Sequence, residues 1–368
     1  LAAAPDARPN ILWIVADDIS PNLSCYGETL IRTPHIDRLA TEGLVFTRAF
    51  APNAVCSPTR ATLLTGLMPS QHGVHSFLDP KFMMGPEAYN TLREFTSLGE
   101  VLRDAGYVCG LSGKWHLGAN LTPSEGFSFW VTKPDGHTKE FYDQEVIEDG
   151  KVRVEAGYTT DLWTRKGIEF IERNRDRPFF LFLAYNGPYV LGGLMMNPPR
   201  NRHAEYYRGM HFKSFPVEPM HPWQHANKPF HNTQNAMERT AAEVSGVDDG
   251  VGEVMATLRR LGLDDNTLMI FTTLEFHLLV ALPLWVLTVI FHFLFQELKD
   301  INIKFDRRNS SHKKQNLEMK TNIFLGLPEE YSEVVTKESK NIKSSLIDEI
   351  SKEVIWFYKR KFESKSKQ

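Results

Sequence analysis

The chain has 368 residues, 42% of them hydrophobic and 24% charged, with a formal net charge of −3. That balance excludes a disordered or collagen-like chain and leaves no global basic field for generic nucleic-acid binding. Three cysteines, Cys25, Cys56 and Cys109, are too few for a disulfide scaffold, and a length near two ordinary domains sets the scale.

The chain begins Leu1-Ala2-Ala3-Ala4-Pro5. Small residues of this kind end secretory signals, so residues 1–7 are expected to be a signal remnant. Ile11–Ala16 is an apolar run ending at Asp17-Asp18, the pattern of a parallel strand buried on both faces. Thr33-Pro34 opens a helix that Gly43 stops. A strand is expected over Leu44–Ala51 and helices over Ser57–Leu67 and Leu98–Ala105. Strand Tyr107–Leu111, helix Thr160–Asn174, strand Phe179–Tyr185, helix Arg239–Leu261 and strand Leu268–Thr272 follow. Alternating strands and helices imply a mostly parallel sheet covered on both faces, with ligands beyond the carboxyl ends of its strands.

The composition changes at residue 274. Residues 1–273 hold 8 Lys, 18 Arg, 23 Gly and 19 Pro, whereas residues 274–368 hold 13 Lys, 3 Arg, 1 Gly and 2 Pro. Within the second part, Leu278–Phe295 has no formal charge, and 13 of its 18 residues are Leu, Ile, Val or Phe. At about −0.4 kcal/mol each these favour insertion by about −5 kcal/mol before the costs of Pro283 and His292. Residues 274–298 are therefore expected to form an apolar helix able to span a membrane, and residues 299–368 a Lys-rich helical tail. Arg307, Arg308, Lys313 and Lys314 place that tail in the cytoplasm and the first part outside it. The sequence leaves open whether the tail is native or a fusion or assembly artefact.

Three clusters carry chemistry. Asp17-Asp18 ends a buried strand, where two adjacent carboxylates need a compensating cation or arginine, and a hard ion such as Ca²⁺ or Mg²⁺ suits them. A helix-capping or turn pair is the plain alternative. Cys56-Ser57-Pro58-Thr59-Arg60 puts a thiol at a helix start, where backbone N–H groups favour an anion and Arg60 adds a planar charged fork. Gly113-Lys114-Trp115-His116-Leu117-Gly118 follows a strand, with a compact cation and a side chain that titrates near neutrality.

These motifs resemble those of the sulfatase family: C-x-P-x-R followed by a Thr-Gly pair, then G-K-W-H-L-G, with Asp-Asp some forty residues upstream of the cysteine. The resemblance covers residues 8–273. It implies an α/β fold, an alkaline-phosphatase-like α/β/α sandwich with a mostly parallel sheet, here truncated. It further implies hydrolysis of sulfate esters through a formylglycine made from Cys56 by a maturation enzyme. Arg60, Lys114 and His116 would join Cys56 in catalysis, Lys114 would grip sulfate, and Asp17, Asp18 and Cys56 would hold Ca²⁺, with Mg²⁺ an alternative.

Two departures stand against that pattern. Many members have a histidine after the proline where this chain reads Pro188-Tyr189, so Tyr189 is carried over as a substrate-binding residue with weaker acid–base power. The strand Thr267–Thr273 is normally continued by Asp, then Asn or His, then Gly, and here by Leu274-Glu275-Phe276. A catalytically inert, membrane-anchored remnant that binds sulfated ligands is therefore the rival expectation, and a phosphatase or phosphonate hydrolase a weaker one. The histidines between residues 192 and 235, His203, His211, His221, His225 and His231, show no zinc spacing. Asp248-Asp249 is expected on a solvated helix face.

Overall fold

The apolar run at the N-terminus becomes β1 (Asn10–Asp17), buried along nearly its whole length. The computed structural model describes residues 8–20, 22–46, 49–189, 197–215, 233–274 and 279–281. All lie in the first of two compact units, Leu1–Val286; the second, Leu287–Gln368, lies outside the described residues. After β1 come α1 (Pro34–Glu42), β2 (Leu44–Phe46), α2 (Cys56–Thr65), the single turn α3 (Pro69–His72) and α4 (Leu98–Asp104). Then follow β3 (Val108–Gly113), β4 (Phe127–Thr132), β5 (Tyr142–Glu148), β6 (Lys151–Tyr158) and α5 (Thr159–Arg173). The described chain ends with β7 (Phe179–Pro188), the short α6 (Ala204–Tyr207), α7 (Gln234–Leu261), β8 (Thr267–Thr273) and β9 (Leu279–Ala281).

The nine strands form one sheet in the order β2-β9-β8-β1-β7-β3-β4-β5-β6. Strands β8, β1, β7, β3 and β4 run parallel, and β5, β6, β9 and β2 add antiparallel edges. The centre, β1 and β7, is apolar on both faces because helices cover both. In β3, Gly110 has no side chain because the ring of Phe170 on α5 fills that space. Its neighbour Cys109 points the other way and donates to the carbonyl of Gly99 on α4. The helices α5 and α4 therefore lie on opposite faces. On the first face α5 and α7 pack over Leu12, Ile14, Leu181, Leu183 and Tyr185, all fully buried. Each such side chain contributes about 1.5–3 kcal/mol relative to exposure.

Local signals set the helix ends. Ser97 and Glu100 form a capping box at α4, with the Ser97 N–H donating to Glu100 and the Glu100 N–H to the Ser97 hydroxyl. Gly262 ends α7 in the left-handed region at φ 66°, which a residue with a Cβ resists.

Four expectations change. The strand expected over Leu44–Ala51 is only Leu44–Phe46 among the described residues. The hairpin β5–β6 was not expected at all. Leu279–Ala281, within the segment expected to be an apolar helix, is instead a strand between β8 and β2. An apolar run has no periodicity to distinguish helix from strand, and β8 offers an edge that needs pairing. Among the described residues no helix is long and apolar enough to cross a membrane; residues 282–298 and the tail lie outside them, as do residues 1–7. Finally, Asp248 is buried rather than solvated: its carboxylate accepts from the backbone N–H of Ile36 at 2.7 Å and of His35 at 3.0 Å, capping α1 from the side of α7. Asp249 is half-buried and meets Arg202 and His203.

Candidate active site

β1 and β3 flank β7 on opposite sides and run parallel to it, so their carboxyl ends lie at the same end of the sheet. Asp17 ends β1 and Lys114 follows β3. The crossing depends on Gly113, whose φ of 121° suits glycine, and where a Cβ would collide with the Ala184 carbonyl of β7. The Lys114 N–H donates to that same carbonyl at 2.8 Å. The Lys114 ammonium then reaches over β7 and pairs with the Asp17 carboxylate, both fully buried. Arg60, about one turn along α2 from Cys56, approaches the same carboxylate at 3.5 Å and donates to the Lys114 carbonyl at 2.5 Å. Its Nε is buried without a hydrogen-bond partner among the described residues.

Cys56 is the first residue of α2, buried, behind an extended Val55. Its sulfur lies 3.1 Å from Nδ1 of His116. Ser57 fixes the loop that carries His116 by donating from its hydroxyl to the His116 carbonyl at 2.9 Å. The other ring nitrogen of His116, Nε2, is buried without a partner among the described residues. It faces Gly136, where a Cβ would lie 1.8 Å from the ring. Burial, and then Lys114, His137, Arg60 and Lys133, hold the His116 imidazole well below the usual histidine range, so the ring is neutral at pH 7.

Tyr189 closes the other side: its N–H donates to the Asp17 carbonyl at 3.1 Å, and the Lys114 ammonium sits 4.7 Å from its ring centre. Its hydroxyl lies 3.3 Å from Nδ1 of His137. Lys133 and His137 were not singled out from the sequence. Lys133 donates to the His137 carbonyl at 2.5 Å and pairs with Asp135 at 3.1 Å, and burial lowers its pKa. No spacing rule points to either residue, since the strand β4 brings them here only in three dimensions. The result is three buried cations, Arg60, Lys114 and Lys133, around a buried thiol and a neutral imidazole. That combination suits an anion beside a nucleophile.

The expected metal ligands do not fit a cation. Asp17 is engaged by Lys114 and Arg60. Asp18 is exposed, its backbone left-handed at φ 69°. Cys56 faces His116. At the end of β8, where the sulfatase pattern would supply further ligands, Leu274 is fully buried and its N–H donates to the Ala16 carbonyl at 3.3 Å. Among the described residues no three His, Cys, Asp or Glu side chains gather to hold an ion.

A family model for sulfatases matches residues 9–273. The chain belongs to the sulfatase family. Over 185 residues it is 36% identical to N-acetylglucosamine-6-O-sulfatase of Bacteroides thetaiotaomicron, covering 50% of this chain and 31% of that protein. Over 313 residues it is 29% identical to human N-acetylgalactosamine-6-sulfatase, covering 77% of this chain and 52% of that protein. The chain thus spans about a third to a half of the length of these curated relatives. In structure it is similar to Ps i-CgsB in complex with k-i-k-neocarrahexaose, with a TM-score of 0.56 and 26% identity over 72% of this chain and 58% of that one. It also shares the fold of yidJ of Bacteroides fragilis, with a TM-score of 0.61 and 23% identity over 77% of this chain and 69% of that one.

Proposed function

We propose that this sulfatase-family chain hydrolyses sulfate esters, and that its substrates are amino sugars sulfated on a primary alcohol. The substrate class is drawn from the two curated relatives, whose names specify 6-sulfated N-acetylhexosamines. One observation carries the reaction: the Cys56 sulfur stands 3.1 Å from a neutral His116, beside buried Arg60 and Lys114. A maturation enzyme would convert Cys56 to formylglycine, whose hydrated form supplies a hydroxyl nucleophile to attack sulfur.

Every other role falls to the chain's own side chains. Arg60 and Lys114 hold the sulfate oxygens and offset the charge that develops on them. His116 accepts a proton at Nδ1 from the group on Cys56, a transfer that a ring held neutral at pH 7 can make. Gly136 leaves room for that ring. No step is assigned to a divalent cation, since the residues present do not fit one. A location outside the cytoplasm belongs to this proposal on sequence grounds alone.

The test is twofold. Expression with a formylglycine-generating enzyme should yield the aldehyde at Cys56 by peptide mass spectrometry, and sulfate should be released from N-acetylglucosamine 6-sulfate. Unmodified thiol in a host that converts other sulfatases, or activity that survives Cys56→Ala, would overturn the reading. A second reading, an inert binder of sulfated ligands, is favoured by the buried Leu274 in place of a carboxylate. It expects sulfate-ester binding with no release.

A further inference from the structure

His116 is spent on Cys56 at one nitrogen and buried against Gly136 at the other, so it has no atom to offer the alcohol that leaves. Tyr189 stands where many sulfatases carry a histidine, and a phenol at that position does not reproduce an imidazole. The structure supplies an imidazole from a different strand. His137 is half-buried, and its Nδ1 meets the Tyr189 hydroxyl at 3.3 Å. Its ring meets His116 edge-on with centroids 5.1 Å apart, so it is one ring removed from Cys56. Phe77 meets it edge-on at 5.2 Å. Phe77 also lines a cavity of about 430 Å³ with Tyr89, Phe95, His75 and Glu94, of a size and amphipathic character that fit a sugar.

On the sulfatase reading above, we infer that Tyr189 and His137 form a proton relay to the departing alcohol. As the sulfur–oxygen ester bond breaks, its electron pair stays on the alcohol oxygen. That oxygen takes the proton of His137 Nε2, and His137 Nδ1 takes the proton of the Tyr189 hydroxyl. The ring ends neutral, and the negative charge rests on the Tyr189 phenolate, next to the Lys114 ammonium 4.7 Å from its ring centre. Solvent returns the proton to Tyr189 after turnover. The transfer runs downhill, since a phenol has a pKa of about 10 and an alcohol lies near water, about 15.7. The relay needs a neutral ring rather than an imidazolium. Burial, together with Lys114 and Lys133 and against Asp135 and Asp17, lowers the pKa of His137 and so keeps it neutral.

The test uses the full chain matured with a formylglycine-generating enzyme and two esters. N-acetylglucosamine 6-sulfate releases a poor leaving group that needs a proton, whereas 4-nitrophenyl sulfate releases one that does not. His137→Ala should slow the sugar ester by about a hundred- to ten-thousand-fold. Its loss on the nitrophenyl ester should be at least tenfold smaller. Added imidazole should restore part of the sugar-ester turnover. Tyr189→Phe keeps the ring and removes only the hydroxyl, and it should show the same selective loss; it decides the matter alone if His137→Ala fails to fold. Equal losses on both esters, or no loss on the sugar ester, in folded variants would overturn the relay while leaving the sulfatase reading intact. A parent chain that releases sulfate from neither ester would overturn that reading, and the relay with it.

Discussion

Nδ1 of His116 lies 3.1 Å from the Cys56 sulfur, and the opposite edge of the same ring is packed against the backbone of Gly136. The contact with Cys56 is thus held from behind by a residue with no catalytic atom. Gly136→Ala would place a methyl group 1.8 Å from Cδ2 and 2.0 Å from Nε2 of His116. A buried ring cannot give by that much without leaving the thiol. Sulfate release should fall by at least about a hundredfold, comparable to His116→Gln, since general base catalysis is worth roughly 10²–10⁴. Steady-state kinetics should show the loss in kcat, and an unchanged kcat would mean that the ring can reorient.

Asp248 gives a prediction about stability alone. Its carboxylate accepts two N–H groups at the start of α1, and both partners come from a helix over two hundred residues earlier in the chain. Asp248→Ala leaves the buried Ile36 N–H without its acceptor, a cost of about 1–3 kcal/mol. Denaturant melts should show it as a lower midpoint with an unchanged slope, while Asp249→Ala on the more exposed side should cost less.

Much of this arrangement was legible in the sequence, and the reasons divide cleanly. The strands β1 and β7 and the helices α1, α4 and α5 announce themselves through apolar runs, Thr33-Pro34, Ser97 with Glu100, and stopping glycines. Cys56, Arg60, Lys114 and His116 are neighbours in short motifs, and the fold brings them together. The hairpin β5–β6 had a usable signal, the Asp149-Gly150 pair between alternating residues, which is a strong turn sequence. Asp248 had none: a carboxylate on a helix is solvated or buried according to what packs on it, and α1 packs there only in the tertiary structure. Lys133 and His137 were invisible for the same reason, since β4 carries them into the site by pairing with β3. Within the apolar run after Leu274, Leu279–Ala281 misled because hydrophobicity alone does not choose between a strand at a sheet edge and a helix.

Glu243 provides a pH test. It is fully buried on α7 and accepts a hydrogen bond from the Tyr158 hydroxyl. Burial pushes its carboxyl up to about 8 from an ordinary 4.5. A raised carboxyl pKa means that the folded state keeps its proton longer than the unfolded state. Its contribution is complete below about 4.5 and is lost as pH rises through 8. The melting temperature of the parent should therefore fall between pH 6 and pH 9 by more than that of Glu243→Gln, which stays neutral throughout. Equal falls in the two proteins would show that Glu243 is ionised in the fold.

Leu274 marks the point at which this chain leaves the sulfatase pattern, and restoring that pattern tests why the metal ligands do not fit. Its side chain is fully buried and its N–H bonds to the carbonyl of Ala16, the residue before Asp17. A carboxylate at this position would face Asp17 in a buried place, with Lys114 and Arg60 already paired to Asp17. Two carboxylates there repel unless a divalent cation binds between them. Leu274→Asp combined with Glu275→Asn should therefore melt lower than the parent in the presence of a chelator. Millimolar Ca²⁺ should reverse the loss, because an ion that binds only the folded state at about a hundred times its Kd stabilises by about 2.7 kcal/mol. Under the same conditions the parent should not respond to Ca²⁺. An ion that shares the pairing with Asp17 would loosen the hold of Asp17 on Arg60 and Lys114 and strengthen their grip on the sulfate oxygens. Turnover of 4-nitrophenyl sulfate should then rise by about a hundred- to a thousandfold, the usual worth of one preorganised electrostatic contact. A parent chain that Ca²⁺ stabilises equally would show that Asp17 and Asp18 hold the ion without help from the end of β8.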